Sequence, residues 1–345
     1  MTRWAVVLAG GVGSRFWPLS TQERPKQLLP LVASEPMLLE QLRRIRPLAE
    51  AQRTLVLTNA SLVEPIARLA PDLVRDNIIA EPRPAGTAAA LAWAAHVIQQ
   101  RGGKDATMLS VHADWAIADP NGFRDTLSLA ASAAEAHHAL VTVGIVPTRP
   151  DPGLGYIEPG DSVSQGVRRV SRFVEKPTRE RAQVMVDSGY LWNSGIFAWR
   201  VGDFLGEVHD HAPAIAEALD RNPKSLEKFF AAIPKPVAVD TAVLEHSERV
   251  LVVPGDFGWD DVGTWGSLQR VRARDAQGNA VSGSVHALDA SNNVVHAEGQ
   301  DVVLYGVNDL VVVARDGLVV VTTVDRSADL KRLVESLPPG LKGPS

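Results

Sequence analysis

Apolar residues fall in short, nearly unbroken blocks along the first part of the chain. Trp4–Ala9 (WAVVLA), Arg53–Thr58 (RTLVLT), Thr107–Val111 (TMLSV) and Leu140–Val146 (LVTVGIV) are such blocks. A strand covered on both faces reads this way, because neither face needs polar side chains. Longer segments with helical spacing lie between them: Met37–Arg46, Thr87–Gln100 and Phe123–His138. Thr87 is expected to cap the second helix and Gly102-Gly103 to end it. Strands alternating with helices predict an α/β fold with a mainly parallel, doubly wound sheet and helices on both faces. Ligands bind such sheets at the carboxyl ends of the strands, so the loop after Ala9 is well placed to be a site.

The texture changes after about residue 270. Gly278–Thr323 is rich in Val, with strand-like runs (DVVLYG, LVVVA, LVVVTTV) split by Asn-Asn, Asn-Asp and Asp-Gly turns. Helical spacing returns only at Ser327–Leu337. The expected division is therefore 1–270 for an α/β domain and 271–345 for a small β-rich domain closed by a helix. No strict repeat is visible, so the pattern alone gives a solenoid little support.

Composition narrows the chemistry. Of 345 residues, 45% are hydrophobic and 22% charged, as in ordinary globular proteins. The formal net charge is −5, so no basic surplus points to nucleic acid. A chain of this charge that handles a polyanion needs local Arg or Lys, or a metal ion. There are no cysteines, which excludes disulfides and thiolate ligands and fits a cytoplasmic setting. The first strand starts within about four residues of Met1, so no leader peptide is expected ahead of it. No apolar run reaches the ~20 residues of a membrane-spanning helix.

The loop after Ala9 reads GGVGSRFWPLSTQERPKQ. It fails the P-loop pattern, because Ser14-Arg15 stands where Lys-Ser or Lys-Thr is needed. It fails the dinucleotide fingerprint, because Phe16 replaces the third glycine. That omission also disfavours a nicotinamide oxidoreductase. What remains is Gly10-Gly11-x-Gly13-x-Arg15, then Pro25-Lys26. Glycines let backbone N–H groups approach a phosphate, Arg15 offers a fork for two phosphate oxygens, and Lys26 adds a point charge.

With these residues in place, the stretch resembles the signature of the sugar-nucleotide pyrophosphorylases, LAGGxGxRxxPLS followed by PKQ. Four further stretches fit in order: Glu81-Pro82 with Thr87, Phe173–Pro177 (FVEKP), Trp192–Phe197 (WNSGIF) and Gly258–Trp265 (GWDDVGTW). The resemblance covers about residues 4–270, and the Val-rich tail fits the rest. It implies a Rossmann-like nucleotide-binding domain followed by a small left-handed β-helix-like domain that supports a homodimer. At this length no isomerase domain of the kind found in bifunctional relatives is expected. The Pro25-Lys26-Gln27 and GWDDVGTW forms favour the branch that joins GTP to mannose 1-phosphate, releasing pyrophosphate.

The same resemblance implies roles. Arg15 and Lys26 are the catalytic cations. Leu8, Ala9, Gly10, Gly11, Gly13, Glu81, Pro82 and Thr87 bind the nucleotide. Gly155, Glu175, Lys176 and Asn193 bind the sugar phosphate, and Asp114 and Asp261 bind Mg²⁺. Taken as bare residues, Asp114 reads equally as a turn former and Glu175-Lys176 as a surface ion pair. His112 reads as structural, and Trp192, Trp259 and Trp265 as core. The sequence departs from the family at His112-Ala113-Asp114-Trp115, where Pro-x-Asp-His is usual, and at Ala85-Gly86, where Arg-Asn is usual. Asp260 stands where relatives often have Ser, either solvated or adding negative charge. Two other readings stay open: a pyrophosphorylase using UTP, dTTP or ATP with glucose 1-phosphate, and a non-catalytic sensor on the same fold.

Overall fold

The computed structural model describes residues 2–11 and 13–341. Its strands are β1 (Arg3–Leu8), β2 (Thr54–Asn59), β3 (Ile78–Glu81), β4 (Thr107–His112), β5 (Ala116–Ile117), β6 (Leu140–Ile145), β7 (Tyr156–Ser164), β8 (Val167–Val174), β9 (Leu191–Arg200), β10 (Val250–Gly255), β11 (Trp259–Asp260), β12 (Ala280–Ser282), β13 (Val285–Leu288), β14 (Val294–Glu298), β15 (Val302–Tyr305), β16 (Leu310–Arg315) and β17 (Leu318–Thr323). The chain divides into two compact units. The first holds Met1–Gly10, Leu42–His112 and Asp119–Phe257; the second holds Gly11–Gln41, Ala113–Ala118 and Gly258–Ser345.

In the first unit, nine of the described strands form one sheet in the order β3-β2-β1-β4-β9-β6-β10-β8-β7. β1 is flanked in parallel by β2 and β4. Successive residues Ala5, Val6 and Val7 are all fully buried, so both faces are covered and the strand needs an unbroken apolar run. The expected strand positions hold to within a residue. The sheet is mixed, however, and its parallel character is confined to β3-β2-β1-β4 and the β6–β10 pair. β9 runs antiparallel between β4 and β6, and β7 and β8 form an antiparallel hairpin. A hairpin needs only a short turn, so nothing in its spacing resembles a helical crossover.

The helix Thr87–Gly102 is buried on almost every side, with Ala88–Ala95 all at the core. Its small residues let the packed surfaces approach closely. It ends at Gly103 (φ +81°), as expected of the Gly102-Gly103 stop. Thr87 does not cap it. Gly86 is the N-cap, without a side-chain bond, and the Thr87 hydroxyl instead accepts from the Val239 N–H at 2.9 Å. A later helix, Pro120–His137, starts three residues before the spacing suggests. Asp119 accepts from the Asn121 N–H at 3.0 Å, and Pro120 fits the first helical turn.

The second unit contains the small β5–β11 pair and a coil of parallel strands. β12, β14 and β16 stack in parallel, β13 pairs with β15, and β17 closes antiparallel on β16. The corners between rungs fall at left-handed residues: Gly278, Asn292 and Asp309 at one, Asp289 and Gly306 at another. Buried Asn279 and Asn293 stack beneath the first corner. Asn293 Nδ2 donates to Asn279 Oδ1 (2.9 Å) and Val307 O (3.0 Å), while its Oδ1 accepts from the Leu310 N–H (2.9 Å). This is the β-helix-like tail. The helix at its end is a tight turn, Asp325–Asp329, continued by Leu330–Ser336. Phe16, Leu29, Trp265, Val294, Val311, Val313 and Leu330 belong to one core cluster in this unit. Among the described residues, no helix is long and apolar enough to cross a membrane.

Candidate active site

The glycine loop passes from Gly10 in the first unit to Gly11 in the second. Gly13 sits at φ +69°, and a Cβ there would lie 2.4 Å from Lys26 Cβ. Only glycine fits both the conformation and the contact. Beyond it the chain makes a tight turn over Ser14–Phe16, which leaves Arg15 exposed and Phe16 buried. Pro25 holds an extended conformation and delivers Lys26 to the start of a second tight turn, Lys26–Leu28.

Lys26 is 5% exposed, and its Nζ donates to Asp114 Oδ2 at 3.0 Å and to Asp261 O at 2.8 Å. An ammonium has three N–H groups, so one remains for a ligand. Arg15 and Asp261 join this group at Gly263: a Cβ on that glycine would lie 2.7 Å from Asp261 Oδ2 and 3.4 Å from Arg15 Nη1. Four of the expected residues, Arg15, Lys26, Asp114 and Asp261, are thus brought together in one unit.

Asp260 is different. Its buried carboxylate accepts from Arg270 Nε (2.8 Å) and Nη2 (3.1 Å) and from the Val262 N–H (2.9 Å). These bonds hold the turn that presents Asp261, so Asp260 is not a solvated surface charge. No group of three or more His, Cys, Asp or Glu able to hold a metal occurs among the described residues. The available donors are carboxylate oxygens alone. Such a set suits a hard cation that draws its remaining ligands from water and phosphate, and does not suit a closed zinc site.

In the first unit, Leu8 and Ala9 are buried. Ala9 donates its N–H to Leu57 O at 2.8 Å and accepts from the Thr58 hydroxyl at 3.0 Å, so its backbone is already engaged. Gly10 is exposed and lies beside Glu81, whose Oε1 would be 3.9 Å from a Cβ on Gly10. Burial pushes the Glu81 carboxyl up to about 7. Pro82 is exposed next to it. Ala85 is fully buried, and Gly86 (φ +84°) packs where a Cβ would meet Val237 O at 2.1 Å. This explains the departure at Ala85-Gly86: the turn is pressed against a neighbouring stretch of chain that leaves no room for larger side chains.

On the sugar side, Gly155 O accepts from the Asn193 N–H at 2.8 Å, and a Cβ on Gly155 would lie 2.9 Å from Glu175 Oε2. Gly155, Glu175 and Asn193 therefore meet. Ser194 and Gly195 form a bulge where β9 slips against β6, with Gly195 at φ +72° and the Ser194 hydroxyl donating to Val143 O at 2.6 Å. The bulge turns Asn193 out of the regular pleat. Lys176 pairs with Glu175 at 3.0 Å, both well exposed. Asp240, which the sequence patterns did not single out, accepts from Asn193 Nδ2 at 2.7 Å. The only hint was an acid inside the apolar run VAVDTAV. Trp192, Trp259 and Trp265 are buried as core residues.

A glycine turn with a buried lysine and aspartates beside it is an arrangement that can take phosphate groups. Residues 4–278 match the family described as Nucleotidyl transferase, and the chain belongs to that family. It is 37% identical over 96% of its length to a mannose-1-phosphate guanylyltransferase of Escherichia coli, covering 73% of that protein. It is 38% identical over 96% of its length to the xanthan biosynthesis protein XanB of Xanthomonas campestris pv. campestris, covering 72%. A solved structure from Thermus thermophilus, described as a mannose-1-phosphate geranyltransferase, is 35% identical. It superposes with a TM-score of 0.89 over 97% of this chain and 99% of that one.

Proposed function

We propose that this chain makes GDP-mannose and pyrophosphate from GTP and mannose 1-phosphate. A phosphate oxygen of the sugar attacks the α-phosphorus of GTP, the P–O bond to the β-phosphate breaks, and pyrophosphate departs. The nucleophile is already an anion, so positioning and charge neutralisation carry the chemistry. The observation that supports this most is Lys26, buried and held by Asp114 and the Asp261 carbonyl with Arg15 beside the same turn. The names of the similar proteins support the choice of guanine and mannose.

In this reading Arg15 grips phosphate oxygens and the third Lys26 N–H meets the charge that develops on them. The backbone at Gly10, Gly11 and Gly13 admits the triphosphate, with Leu8, Ala9, Pro82 and Thr87 shaping the nucleotide subsite. Glu81 accepts from the guanine N1–H or amino group. Gly155, Glu175 and Asn193 take the sugar hydroxyls, and Lys176 meets the sugar phosphate once it leaves Glu175. Asp114 and Asp261 would hold Mg²⁺, which when bound neutralises phosphate charge.

The working arrangement is a homodimer in the cytoplasm, with residues 1–270 as the transferase domain and 271–345 as the small β-rich domain. An apolar stripe on the coil supports pairing with a second copy: Val303, Tyr305, Val319 and Val321 are each more than half exposed.

The experiment is pyrophosphate release with Mg²⁺ across a grid of nucleoside triphosphates and hexose 1-phosphates. The expected result is activity concentrated at GTP with mannose 1-phosphate. Activity centred on UTP, dTTP or ATP with glucose 1-phosphate would overturn the assignment and keep the chemistry. Silence across the grid with GTP still bound would indicate a sensor.

A further inference from the structure

Asp240 opens a short π-helical turn, Asp240–Leu244. Such turns are rare and concentrate at functional sites. The residues leading into it are tied down at several points. Val237 donates its N–H to Ala85 O at 3.3 Å and accepts from the Ala88 N–H at 3.2 Å. Val239 donates to the Thr87 hydroxyl at 2.9 Å. Asp240 Oδ1 accepts from Asn193 Nδ2 at 2.7 Å. A single strap, Val237 to Asp240, therefore joins the turn assigned to the nucleotide and the asparagine assigned to the sugar.

The other end of the Asn193 amide is informative. Its Oδ1 is buried and has no hydrogen-bond partner. A buried acceptor left unpaired is costly, which marks it as a group kept for a ligand. An amide whose nitrogen end is held by a carboxylate turns its oxygen to the opposite side, and at that end it accepts and does not donate. The Asn193 backbone is fixed too, by its N–H bond to Gly155 O. Burial raises the Asp240 carboxyl above its ordinary range, as does the charge of Glu175, while the Asn193 bond and His112 act the other way.

We propose that Asp240 is a positioning residue that locks the Asn193 amide as an acceptor, so that the sugar subsite selects a hydroxyl donor at that point. The inference rests on the proposed function and adds the residue that enforces sugar choice. A carboxylate at position 240 dictates which end of the amide faces the sugar. An amide at position 240 does not, because it can donate as well as accept.

The test is steady-state kinetics of the full chain and of Asp240→Asn, using GTP, mannose 1-phosphate and analogues of it that each lack one ring hydroxyl. The variant should raise KM for mannose 1-phosphate by about tenfold or more, the worth of a hydrogen bond to a charged group. KM for GTP should stay within about twofold. The unaltered chain should penalise one analogue strongly, and that penalty should shrink in Asp240→Asn and in Asn193→Ala alike. The exchanged pair Asn193→Asp with Asp240→Asn keeps a hydrogen bond and still presents an acceptor, so it should recover the discrimination. A purely structural Asp240 would move both KM values and leave the analogue pattern unchanged, which would overturn the inference. Failure of the exchanged pair to recover discrimination, in a folded protein, would overturn it as well. No turnover of mannose 1-phosphate by the unaltered chain would overturn the proposed function, and this inference with it.

Discussion

Lys26 shows how much of this protein depends on single side chains. Its Nζ bonds fix it between Asp114 and the Asp261 carbonyl, and Gly13 must stay a glycine to let its stem pass. Lys26→Met keeps the buried stem and removes the charge. Turnover should fall by about 10²–10³-fold, the usual cost of losing one preorganised donor to developing charge. Arg15→Ala and Asp261→Asn should each lose orders of magnitude as well. Circular dichroism should show the fold retained, and near-normal rates in any of the three would remove that residue from the mechanism.

Glu81 yields a prediction of a different kind. Burial raises its carboxyl to about 7. A raised acid favours folding in its neutral form, so that contribution is present below the unfolded value of 4.5 and is lost as pH rises toward about 7. Glu81→Gln should therefore raise Tm above neutrality and leave it unchanged near pH 4. A protonated Glu81 also accepts from guanine more weakly than the carboxylate does, because the bond is no longer charge-assisted. KM for GTP should fall as pH rises from about 6 to about 8, and Glu81→Gln should flatten that profile. The loop motif with Arg15 and Lys26 was legible from residue types and order, and the two aspartates only through the family resemblance. Asp240 was not, because its meaning lies in a contact with Asn193 that no local spacing encodes.

At the scale of elements, the coil is held by asparagine as much as by valine. Asn293 donates to Asn279 and Val307 and accepts from Leu310 while fully buried. Asn293→Ala would remove those three bonds and leave the Leu310 N–H without its acceptor, at about 2–4 kcal/mol in total. Urea unfolding should show the midpoint falling without loss of cooperativity. The same element shows why the sequence hid its periodicity. Val285 pairs with Val302 and Val294 with Val311, an offset of 17 residues, yet Ala280 pairs with Val294, an offset of 14. The rungs share left-handed corners, but Gly, Asn and Asp fill them interchangeably, so no strict repeat survives in the letters. The helices at Met37 and Thr87 start where the pattern places them, whereas Val63–Leu69, Arg179–Asp187 and Val201–His211 were not read from the sequence. Thr87 looked like a cap, yet its hydroxyl is engaged by Val239. Asp119-Pro120 starts its helix ahead of the apolar pattern.

At the scale of the molecule, the tail cannot be tested by simple removal. Val294, Val311, Val313 and Leu330 share one core with Phe16, Leu29 and Trp265. A chain cut at about residue 270 would expose that core and lose its fold, so a change in its sedimentation would say nothing of assembly. Surface substitutions are the cleaner route. Val303→Glu with Val321→Glu places charge on the exposed stripe without touching the core. If that stripe joins two copies, sedimentation should shift from dimer to monomer while the thermal midpoint of the monomer holds. An unchanged dimer would move the interface elsewhere.

The core shared by the phosphate loop and the coil has one more consequence, for how the protein opens. Segments that bury the same side chains exchange their amide hydrogens through a common opening. The amides of Leu28 and Leu29, which close the turn that carries Lys26, should then exchange at the same rate as those of β14 and β16, far along the chain. Asn293→Ala should speed both sets equally. The tail would thus set the lifetime of the catalytic turn, and any substitution that loosens a rung would be felt first as a lysine that is less often in place.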